Sequence, residues 1–125
     1  MNVYVKTGKS MTGMVVTGDN NQVYMYKAFQ NKGKNEQEQI LLAVKQGVCF
    51  SRNNKIKYAT NSVNIYSDIK FNIDSINKDE YLNRFNYCFS TKEIETEQEK
   101  QRMVLATKEI VAENHRLNLI GIKSR

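Results

Sequence analysis

The sequence has 125 residues, 40% of them hydrophobic and 26% charged, with 19 basic and 13 acidic side chains and a net charge of +6. That length suits one domain over residues 1–125, and no apolar run approaches the ~20 residues of a transmembrane helix, so no membrane contact is expected. Two cysteines and one histidine exclude a disulfide framework and a zinc cluster, and are expected of a protein in a reducing cytoplasm.

The first thirty residues predict three antiparallel strands. Asn2–Lys6 places Val3 and Val5 on one face, as an alternating strand does. Residues 13–17 form the second predicted strand and residues 22–29 the third. Gly18 to Asn21 separates them with residues that tolerate positive φ, which predicts a tight turn and a meander.

The hydrophobic period then changes. Residues 40–48 carry apolar side chains every three or four positions, which predicts an amphipathic helix of roughly 14 residues. Residues 63–67, rich in β-branched side chains, predict the fourth strand. Residues 69–76 then show the spacing of a short helix, and residues 81–89 that of another with Asp79 as its cap.

The last predicted elements are a long helix and a strand. Thr96 and Glu99 form a capping box ahead of an apolar stripe that is expected to be buried, formed by Met103, Ala106, Ile110 and Val111. Residues 117–122 predict the fifth strand. The order β-β-β-α-β-α-α-β requires crossover connections, and therefore predicts an α/β fold with a five-stranded mixed sheet flanked by helices.

The excess positive charge lies in the first half of the chain. Residues 1–62 hold nine basic and three acidic side chains, whereas residues 63–125 hold ten of each. Lysines beside tyrosines suit a polyanion, because ammonium groups contact phosphates and rings stack on bases. The candidate nucleic-acid-binding residues are Lys6, Lys9, Lys27, Lys32, Lys34, Tyr24 and Tyr26. Plain solubility for the lysines and cross-strand packing for the tyrosines are the alternatives.

Three segments resemble the ribonuclease H family. Residues 35–43, Asn-Glu-Gln-Glu-Gln-Ile-Leu-Leu-Ala, are similar to the family's first helix, where a catalytic glutamate precedes an aliphatic run. Ile-Tyr-Ser-Asp at residues 65–68 resembles the fourth strand, which ends in a catalytic aspartate. Tyr-Val-Lys-Thr-Gly at residues 4–8 resembles the first strand, where the family has Asp-Gly.

The resemblance implies a ribonuclease H-like fold and two candidate catalytic carboxylates, Glu38 and Asp68. The family hydrolyses the RNA strand of RNA–DNA hybrids with two divalent ions, Mg²⁺ or Mn²⁺, held by four carboxylates. Glu38 and Asp68 match two of these four. From the residues alone, Glu38 is equally explained as a solvated helix residue, and Asp68 as the cap of the following helix.

The sequence departs from the family at the other two carboxylates. Lys6 or Thr7 stands at the first aspartate position, and an ammonium group at Lys6 would pair with Glu38 and Asp68 in place of a metal ion. No helix is predicted after the fifth strand, so the fourth carboxylate is expected to have no counterpart. For the same reason His115, ahead of that strand, does not match the family's mobile histidine.

These departures predict a catalytically degenerate ribonuclease H-like domain that binds RNA, an RNA–DNA hybrid or DNA and needs no cofactor to do so. Two alternatives remain open at this point. One is an active Mg²⁺- or Mn²⁺-dependent nuclease whose carboxylate cluster is completed by a partner. The other is a protein-interaction or inhibitor module on the same fold.

Overall fold

The computed structural model describes residues 1–120, which form five strands and two long helices. The strands are β1 (Asn2–Lys6), β2 (Met11–Thr17), β3 (Val23–Gln30), β4 (Ser62–Ser67) and β5 (Cys88–Lys92). The helices are α1 (Glu36–Asn53) and α2 (Glu97–Leu119). Two short 3₁₀ helices, Ile73–Lys78 and Leu82–Arg84, connect β4 to β5.

The strands form one mixed sheet in the order β3-β2-β1-β4-β5. β1 pairs with β2, and β2 with β3, in antiparallel fashion, as the short connections between them require. β4 lies parallel to β1 and β5 lies parallel to β4. The predicted five-stranded mixed sheet flanked by helices is therefore confirmed.

Helix α1 covers one face of the sheet. Val3 and Val5 of β1 point to this face, together with Met14 and Val16 of β2, and all four are buried. The helix contributes its own apolar stripe to the same cluster, namely Ile40, Ala43, Val44 and Val48. Apolar residues at these spacings form one face of a helix, and their burial is the main source of stability here.

Helix α2 covers the other face over β1, β2 and β3. Its buried contact is Ala106, which packs with Tyr4, Val15 and Tyr66. Gly13 allows this approach, because a Cβ built there would lie 2.1 Å from the carbonyl oxygen of Ala106. The predicted buried stripe is correct at Ala106 but wrong at Val111, which is 65% exposed because it lies on the face of α2 turned away from the sheet.

The predicted order of the last elements is wrong. Residues 81–89, expected to be helical, form a 3₁₀ turn and then β5, whose Phe89 lies opposite Val63 of β4. Residues 117–119, expected to begin the fifth strand, belong to α2, and residues 121 and 122 of that predicted strand lie outside the described residues. The order observed over residues 1–120 is therefore β-β-β-α-β-β-α, with the long helix after the fifth strand.

Within residues 1–120, no helix combines the length and the apolarity that crossing a membrane demands.

Candidate functional site

Three parallel strands end at the same edge of the sheet, and this edge carries the candidate site. β1, β4 and β5 all finish there. β3 runs in the same direction as β1, because both lie antiparallel to β2, so β3 also ends at this edge and α1 begins there. Val5 lies opposite Ser67 in the parallel register. The next residues along these strands are Lys6 and Asp68, so the register places the two side by side.

Lys6 and Thr7, the two candidates for the family's first aspartate position, both contact Asp68. The Lys6 Nζ lies 3.2 Å from Oδ2 of Asp68. The Thr7 backbone N–H donates to Oδ1 at 2.9 Å, and the Thr7 hydroxyl lies 2.9 Å from Oδ2. Asp68 thus accepts from a cation, an amide and a hydroxyl, and it is anchored to the end of β1.

These contacts set the ionisation of Asp68. Burial opposes its charged form, since the side chain is only 21% exposed. The hydrogen bonds from Thr7 and the ammonium group of Lys6 outweigh that effect and lower the pKa of the Asp68 carboxyl below its ordinary value of 3.8. Asp68 is therefore an ionised carboxylate whose negative charge is already balanced by the ammonium group of Lys6.

The acidic side chain that α1 contributes to this cluster is Glu36, not Glu38. Oε2 of Glu36 lies 3.4 Å from the Thr7 hydroxyl oxygen. Glu38 is exposed and closes a capping box with Asn35, accepting from the Asn35 N–H at 2.9 Å while its own N–H donates to the Asn35 side chain. The predicted pairing of Lys6 with Asp68 is present, whereas Lys6 makes no hydrogen bond to Glu38 in the described part of the chain.

A buried amide on α1 fixes the loop that follows β1. Oε1 of Gln39 accepts from the Gly8 N–H at 3.0 Å and from the Thr12 hydroxyl at 2.9 Å. The Asn31 side chain donates to the Gly8 carbonyl oxygen at 2.7 Å. Gln39 and Asn31 are 3% and 2% exposed, so these bonds are well shielded from water. They hold Thr7 rigidly beside Asp68.

Six lysines surround this cluster, and we call them the basic edge. Lys6 and Lys92 end β1 and β5, and Lys70 follows Asp68 by two residues. The loops that begin β2 and end β3 supply the other three, since both loops reach the same edge. The basic edge consists of Lys6, Lys9, Lys32, Lys34, Lys70 and Lys92. The carboxylates at these strand ends and at the start of α1 are Asp68, Glu36, Glu38 and Glu93, so the six lysines outnumber them.

The structure separates the remaining candidates from this edge. Tyr24 packs against Tyr58 with ring centroids 6.0 Å apart, near the opposite end of β3. Tyr26 is 52% exposed, and Lys27 is exposed in the middle of the strand opposite Met14. Of the predicted lysines and tyrosines, Lys6, Lys9, Lys32 and Lys34 gather at the edge, whereas Tyr24, Tyr26 and Lys27 do not.

Tyr24 lies at a bulge in β3, because Met25 pairs with Val16 whereas Val23 pairs with Thr17. The register with β2 shifts between Val16 and Thr17. Consequently Val23 packs with the α2-side cluster, whereas Met25 and Phe29 pack with the α1-side cluster. The alternation of residues 22–29 predicts Val23, Met25 and Phe29 on one face of the strand. This prediction is wrong at Val23, because a bulge interrupts the strict alternation.

Helix α2 reaches the site from the side opposite α1. Thr107, Lys108 and His115 lie around a groove that also includes Lys6 and Asp68. Because α2 comes after β5 in the chain, His115 follows the fifth strand, and the expectation that His115 precedes this strand is wrong. A helix after that strand also exists, yet the residues it presents to this groove include no aspartate or glutamate in the described part of the chain.

Comparison with known proteins identifies the fold. No family model and no curated protein matches the sequence. The structure is similar to the crystal structure of ribonuclease H1 from the halophilic archaeon Halobacterium salinarum NRC-1, with a TM-score of 0.50 and 10% sequence identity, over 90% of this chain and 99% of that one. At this identity the likeness concerns the fold, and it shows a ribonuclease H-like arrangement of strands and helices.

The residues at the edge do not suit a pair of divalent ions. Magnesium and manganese need several oxygen ligands with negative charge. In residues 1–120 no three acidic, histidine or cysteine side chains gather as a metal cluster would require. Asp68 already holds the Lys6 ammonium group, and Glu36 meets it only through the Thr7 hydroxyl. The donor set therefore departs from the two-metal pattern that the fold family implies.

Proposed function

We propose that this chain is a ribonuclease H-like module that binds nucleic acid along the basic edge and does not hydrolyse it. The observation that carries the proposal is the ion pair between Lys6 and Asp68, with Nζ 3.2 Å from Oδ2. It fills the centre of the edge with a neutral ion pair, where the resemblance implies a metal-binding aspartate.

The arrangement of the lysines supports binding to a phosphate backbone. They come from the ends of β1 and β5, from the loop after β4 and from both loops beside β2, so they are spread along the edge rather than clustered on one turn. Lys9, Lys32, Lys70 and Lys92 are exposed. Lysines of this kind gain affinity by releasing counterions from the phosphates, which requires no particular base sequence.

The chemistry of the centre supports binding without cleavage. Hydrolysis in the family depends on metal ions that activate water and stabilise the leaving oxygen. Here Lys6 and Thr7 satisfy the hydrogen-bonding capacity of Asp68. The second carboxylate, that of Glu36, contacts only the Thr7 hydroxyl, with 3.4 Å between its Oε2 and the hydroxyl oxygen. Since the other five lysines of the basic edge supply positive charge, binding needs no cofactor. An RNA–DNA hybrid is the first ligand to test, because the structurally similar protein is a ribonuclease H1.

The proposal is tested by titrating the protein into a labelled RNA–DNA hybrid in EDTA and following fluorescence anisotropy. Reversing two edge charges with Lys9→Glu and Lys34→Glu is expected to weaken binding by roughly a hundredfold at low salt. The matched control is Lys57→Glu with Arg84→Glu, because both are exposed and neither belongs to the basic edge. Equal losses in the two double variants would contradict the assignment of the binding surface.

The ligand class follows from the same titration. Duplex DNA and single-stranded RNA of equal length are compared with the hybrid at about 50 and 200 mM salt. A steep fall in affinity with salt is expected for every ligand that contacts the basic edge through phosphates. Binding that is absent, or that ignores salt, would instead support the protein-interaction alternative.

A further inference from the structure

Strand β3 forms an open edge of the sheet. It is the outermost strand in the order β3-β2-β1-β4-β5, and its eight residues make it longer than β5 at the other edge. No strand of residues 1–120 lies on its outer side. Proteins usually protect such an edge with a proline, a bulge or several charges, because free backbone groups recruit another strand. β3 has its bulge at Tyr24, near its start, and between Met25 and Gln30 it carries no proline and one charged residue, Lys27.

The ladder between β2 and β3 shows which backbone groups of this edge are free. The Asn31 N–H donates to the Ser10 carbonyl oxygen at 2.9 Å, so these two residues form a hydrogen-bonded pair of the antiparallel ladder. Such pairs alternate along the strands, so Phe29 and Lys27 also bond toward β2. The residues whose backbone N–H and C=O groups point away from β2 are therefore Tyr26, Ala28 and Gln30.

A groove of about 560 Å³ runs beside the second half of this edge, with residues 28–30 of β3 as its floor. Side chains of α1 line it on one face of the sheet, and side chains of α2 line it on the other. The helical residues that line it are Leu42, Gln46, Glu113, Arg116 and Leu117. Lys32 and Lys34 stand where the groove meets the basic edge, but the β3 segment itself is not part of the basic edge. An added strand would lie between side chains of both helices.

Tyr26 lies on the α2 side of the same edge. Its side chain is 52% exposed, whereas the other exposed large hydrophobic side chains of residues 1–120 lie on α2 or at its C-terminal cap. Because Met25 packs with the α1-side cluster, its neighbour Tyr26 points to the opposite face of the sheet. A strand paired along β3 would cover the apolar body of this ring and leave its hydroxyl within reach of water.

We propose that β3 pairs in antiparallel fashion with β3 of a second copy of this chain, about a twofold axis that passes beside Ala28. Two identical strands pair in this way when their outward-facing residues meet, because each pair then exchanges both backbone hydrogen bonds. With the axis at Ala28, Tyr26 faces Gln30 of the second copy, and Lys27 faces Phe29 of the second copy. The two sheets then join into one continuous sheet.

Other registers of the two strands fit less well. An axis at Lys27 would set two ammonium groups opposite each other, where like charges repel. An axis at Tyr26 would pair Ala28 with Tyr24 of the second copy, and Tyr24 lies in the bulge, where regular pairing is interrupted. An axis nearer Gln30 would leave fewer residues of β3 paired.

The distribution of charge favours the antiparallel arrangement. Each copy carries a net charge of +6, so a stable pair must keep the lysines apart. Lys32 and Lys34 follow β3, whereas the turn before it, residues 18–21, contains Asp19 and no basic side chain. Antiparallel pairing places the lysines that follow one β3 beside the turn that precedes the other. The two groups of lysines therefore lie at opposite ends of the joined strands.

The α1 side of the groove holds an acceptor that a second copy can satisfy. Oε1 of Gln46 is buried and accepts no hydrogen bond from residues 1–120. A buried polar atom without a partner is rare in folded proteins. Lys27 of the second copy would lie beside Phe29, which packs on the α1 side. Its ammonium group can donate to Oε1 when the Gln46 amide turns toward the groove.

Sedimentation equilibrium of the whole protein without nucleic acid tests the proposal, at concentrations up to about 200 μM. A reversible dimer is expected. Ala28→Pro removes the N–H that points outward and keeps the bonds to β2, so it is expected to weaken dimerisation by roughly tenfold or more. Ala28→Ser is the matched control, because it keeps the N–H, and it should dimerise within about twofold of wild type.

A charge exchange tests the register of the two strands. Tyr26→Lys with Gln30→Lys would place like charges opposite each other across the axis, and is expected to weaken dimerisation by roughly tenfold or more. Tyr26→Lys with Gln30→Glu is the matched control, because it places opposite charges there, and it should dimerise roughly tenfold more tightly than the first pair of changes. Circular dichroism checks each fold, and if Ala28→Pro unfolds, the charge exchange decides the question.

Several results would overturn the proposal. A protein that stays monomeric at every concentration would leave the edge of β3 to a strand of another protein. A dimer that persists in folded Ala28→Pro and dissociates in Val104→Asp would instead be formed by the outer face of α2. Equal dimerisation of the two charge variants would contradict the register centred on Ala28. Because no nucleic acid is present, a failure of hybrid binding would leave this proposal standing.

Discussion

Lys6 and Asp68 form an ion pair between two parallel neighbouring strands, with 3.2 Å between Nζ and Oδ2. Both residues stand at strand ends, where the sheet register brings them together, and the Thr7 N–H completes the contact. Because the pair is half-shielded and supported by an amide hydrogen bond, it is stronger than an ordinary surface ion pair. It joins the two central strands at the edge where we place the functional surface.

The first prediction concerns the stability that Asp68 supplies. Asp68→Asn keeps the shape of the side chain but removes its charge, and is expected to lower the free energy of unfolding by about 1–2 kcal/mol at pH 7. Urea denaturation measures this loss. Asp74→Asn is the control, because Asp74 is an exposed carboxylate without a salt bridge in residues 1–120.

The same variant has a defined pH dependence. The folded pKa of Asp68 lies below 3.8, so its contribution is fully present above pH 3.8 and is lost as the pH falls through the folded value. The difference in unfolding free energy between wild type and Asp68→Asn should therefore shrink in acid. A difference that stays constant from pH 7 to about pH 2 would show that the charge of Asp68 contributes nothing.

A second prediction is that one substitution converts the site into a metal site. Lys6→Asp replaces the ammonium group with a third carboxylate beside Asp68 and Glu36. We expect it to bind Mn²⁺ at least about tenfold more tightly than wild type does, because hard cations need clustered oxygen ligands. Mn²⁺ titration by electron paramagnetic resonance measures the affinity, and Mn²⁺ should also raise the melting temperature of the variant.

Lys6→Asn is the control for that experiment, since it removes the cation without adding a ligand. If Lys6→Asn and Lys6→Asp bind Mn²⁺ equally well, the third carboxylate does not complete a cluster, and the geometry assigned to Lys6 is wrong.

A third prediction distinguishes the two glutamates of α1. Glu38 closes the capping box with Asn35, so Glu38→Ala should destabilise the protein by about 0.5–1 kcal/mol, whereas Glu38→Gln should preserve most of the stability because glutamine also accepts the N-cap N–H. Neither change should affect binding of the RNA–DNA hybrid. A large loss of binding in Glu38→Gln would instead assign Glu38 to the functional site, as the family resemblance implies.

A fourth prediction concerns the stacked rings of Tyr4 and Tyr66, whose centroids lie 4.5 Å apart with 15° between their planes. Burial is the main reason that the pKa of Tyr66 rises to about 12. The neutral phenol is favoured in the folded state, so its contribution is present below pH 10.0 and is lost as the pH rises through about 12. Tyr66→Phe should therefore lose less stability than wild type between pH 10 and about 12.

That comparison requires thermal or urea denaturation across the alkaline range. Tyr26→Phe is the control, because Tyr26 is 52% exposed and its change should leave the alkaline loss of stability as in wild type. Identical alkaline profiles for wild type and Tyr66→Phe would contradict the assigned burial of the Tyr66 hydroxyl.

The sequence predicted β1 to β4 and both long helices well, because their hydrophobic periods are strong and local. Asn2–Lys6 is predicted and observed with the same bounds, and the capping box at Thr96 begins α2 as expected. Burial of Val3 and Val5 against α1 follows directly from alternation. Local patterns of this kind suffice wherever one face of an element is buried.

The last third of the chain could not be ordered correctly from local patterns. Phe85 and Phe89 are four residues apart, which is typical of a helix, yet pairing with β4 makes Phe89 part of a strand. Residues 117–119 look strand-like, but helix α2, once begun at Thr96, meets no proline or glycine before them. Tertiary pairing decides the first case, and helix propagation decides the second.

The candidate site was predictable in part. The resemblance to the ribonuclease H family correctly placed Lys6 beside Asp68, and the structure shows this ion pair. Glu36 was missed because the family resemblance points to Glu38, although the Asn35 and Glu38 pattern already indicates a capping box that occupies Glu38. Lys92 was missed because its strand was read as helix, and helical phase alone would not have placed it at this edge.

The central claim, binding without cleavage, is tested by incubating the protein with a labelled RNA–DNA hybrid in Mg²⁺, Mn²⁺ or EDTA and analysing each sample on denaturing and native gels. We predict a salt-sensitive shift on the native gel in all three conditions and intact RNA on the denaturing gel. RNA cleavage that requires Mg²⁺ or Mn²⁺ and disappears in Asp68→Asn would contradict the account, and would favour a nuclease whose carboxylate cluster is completed in another way.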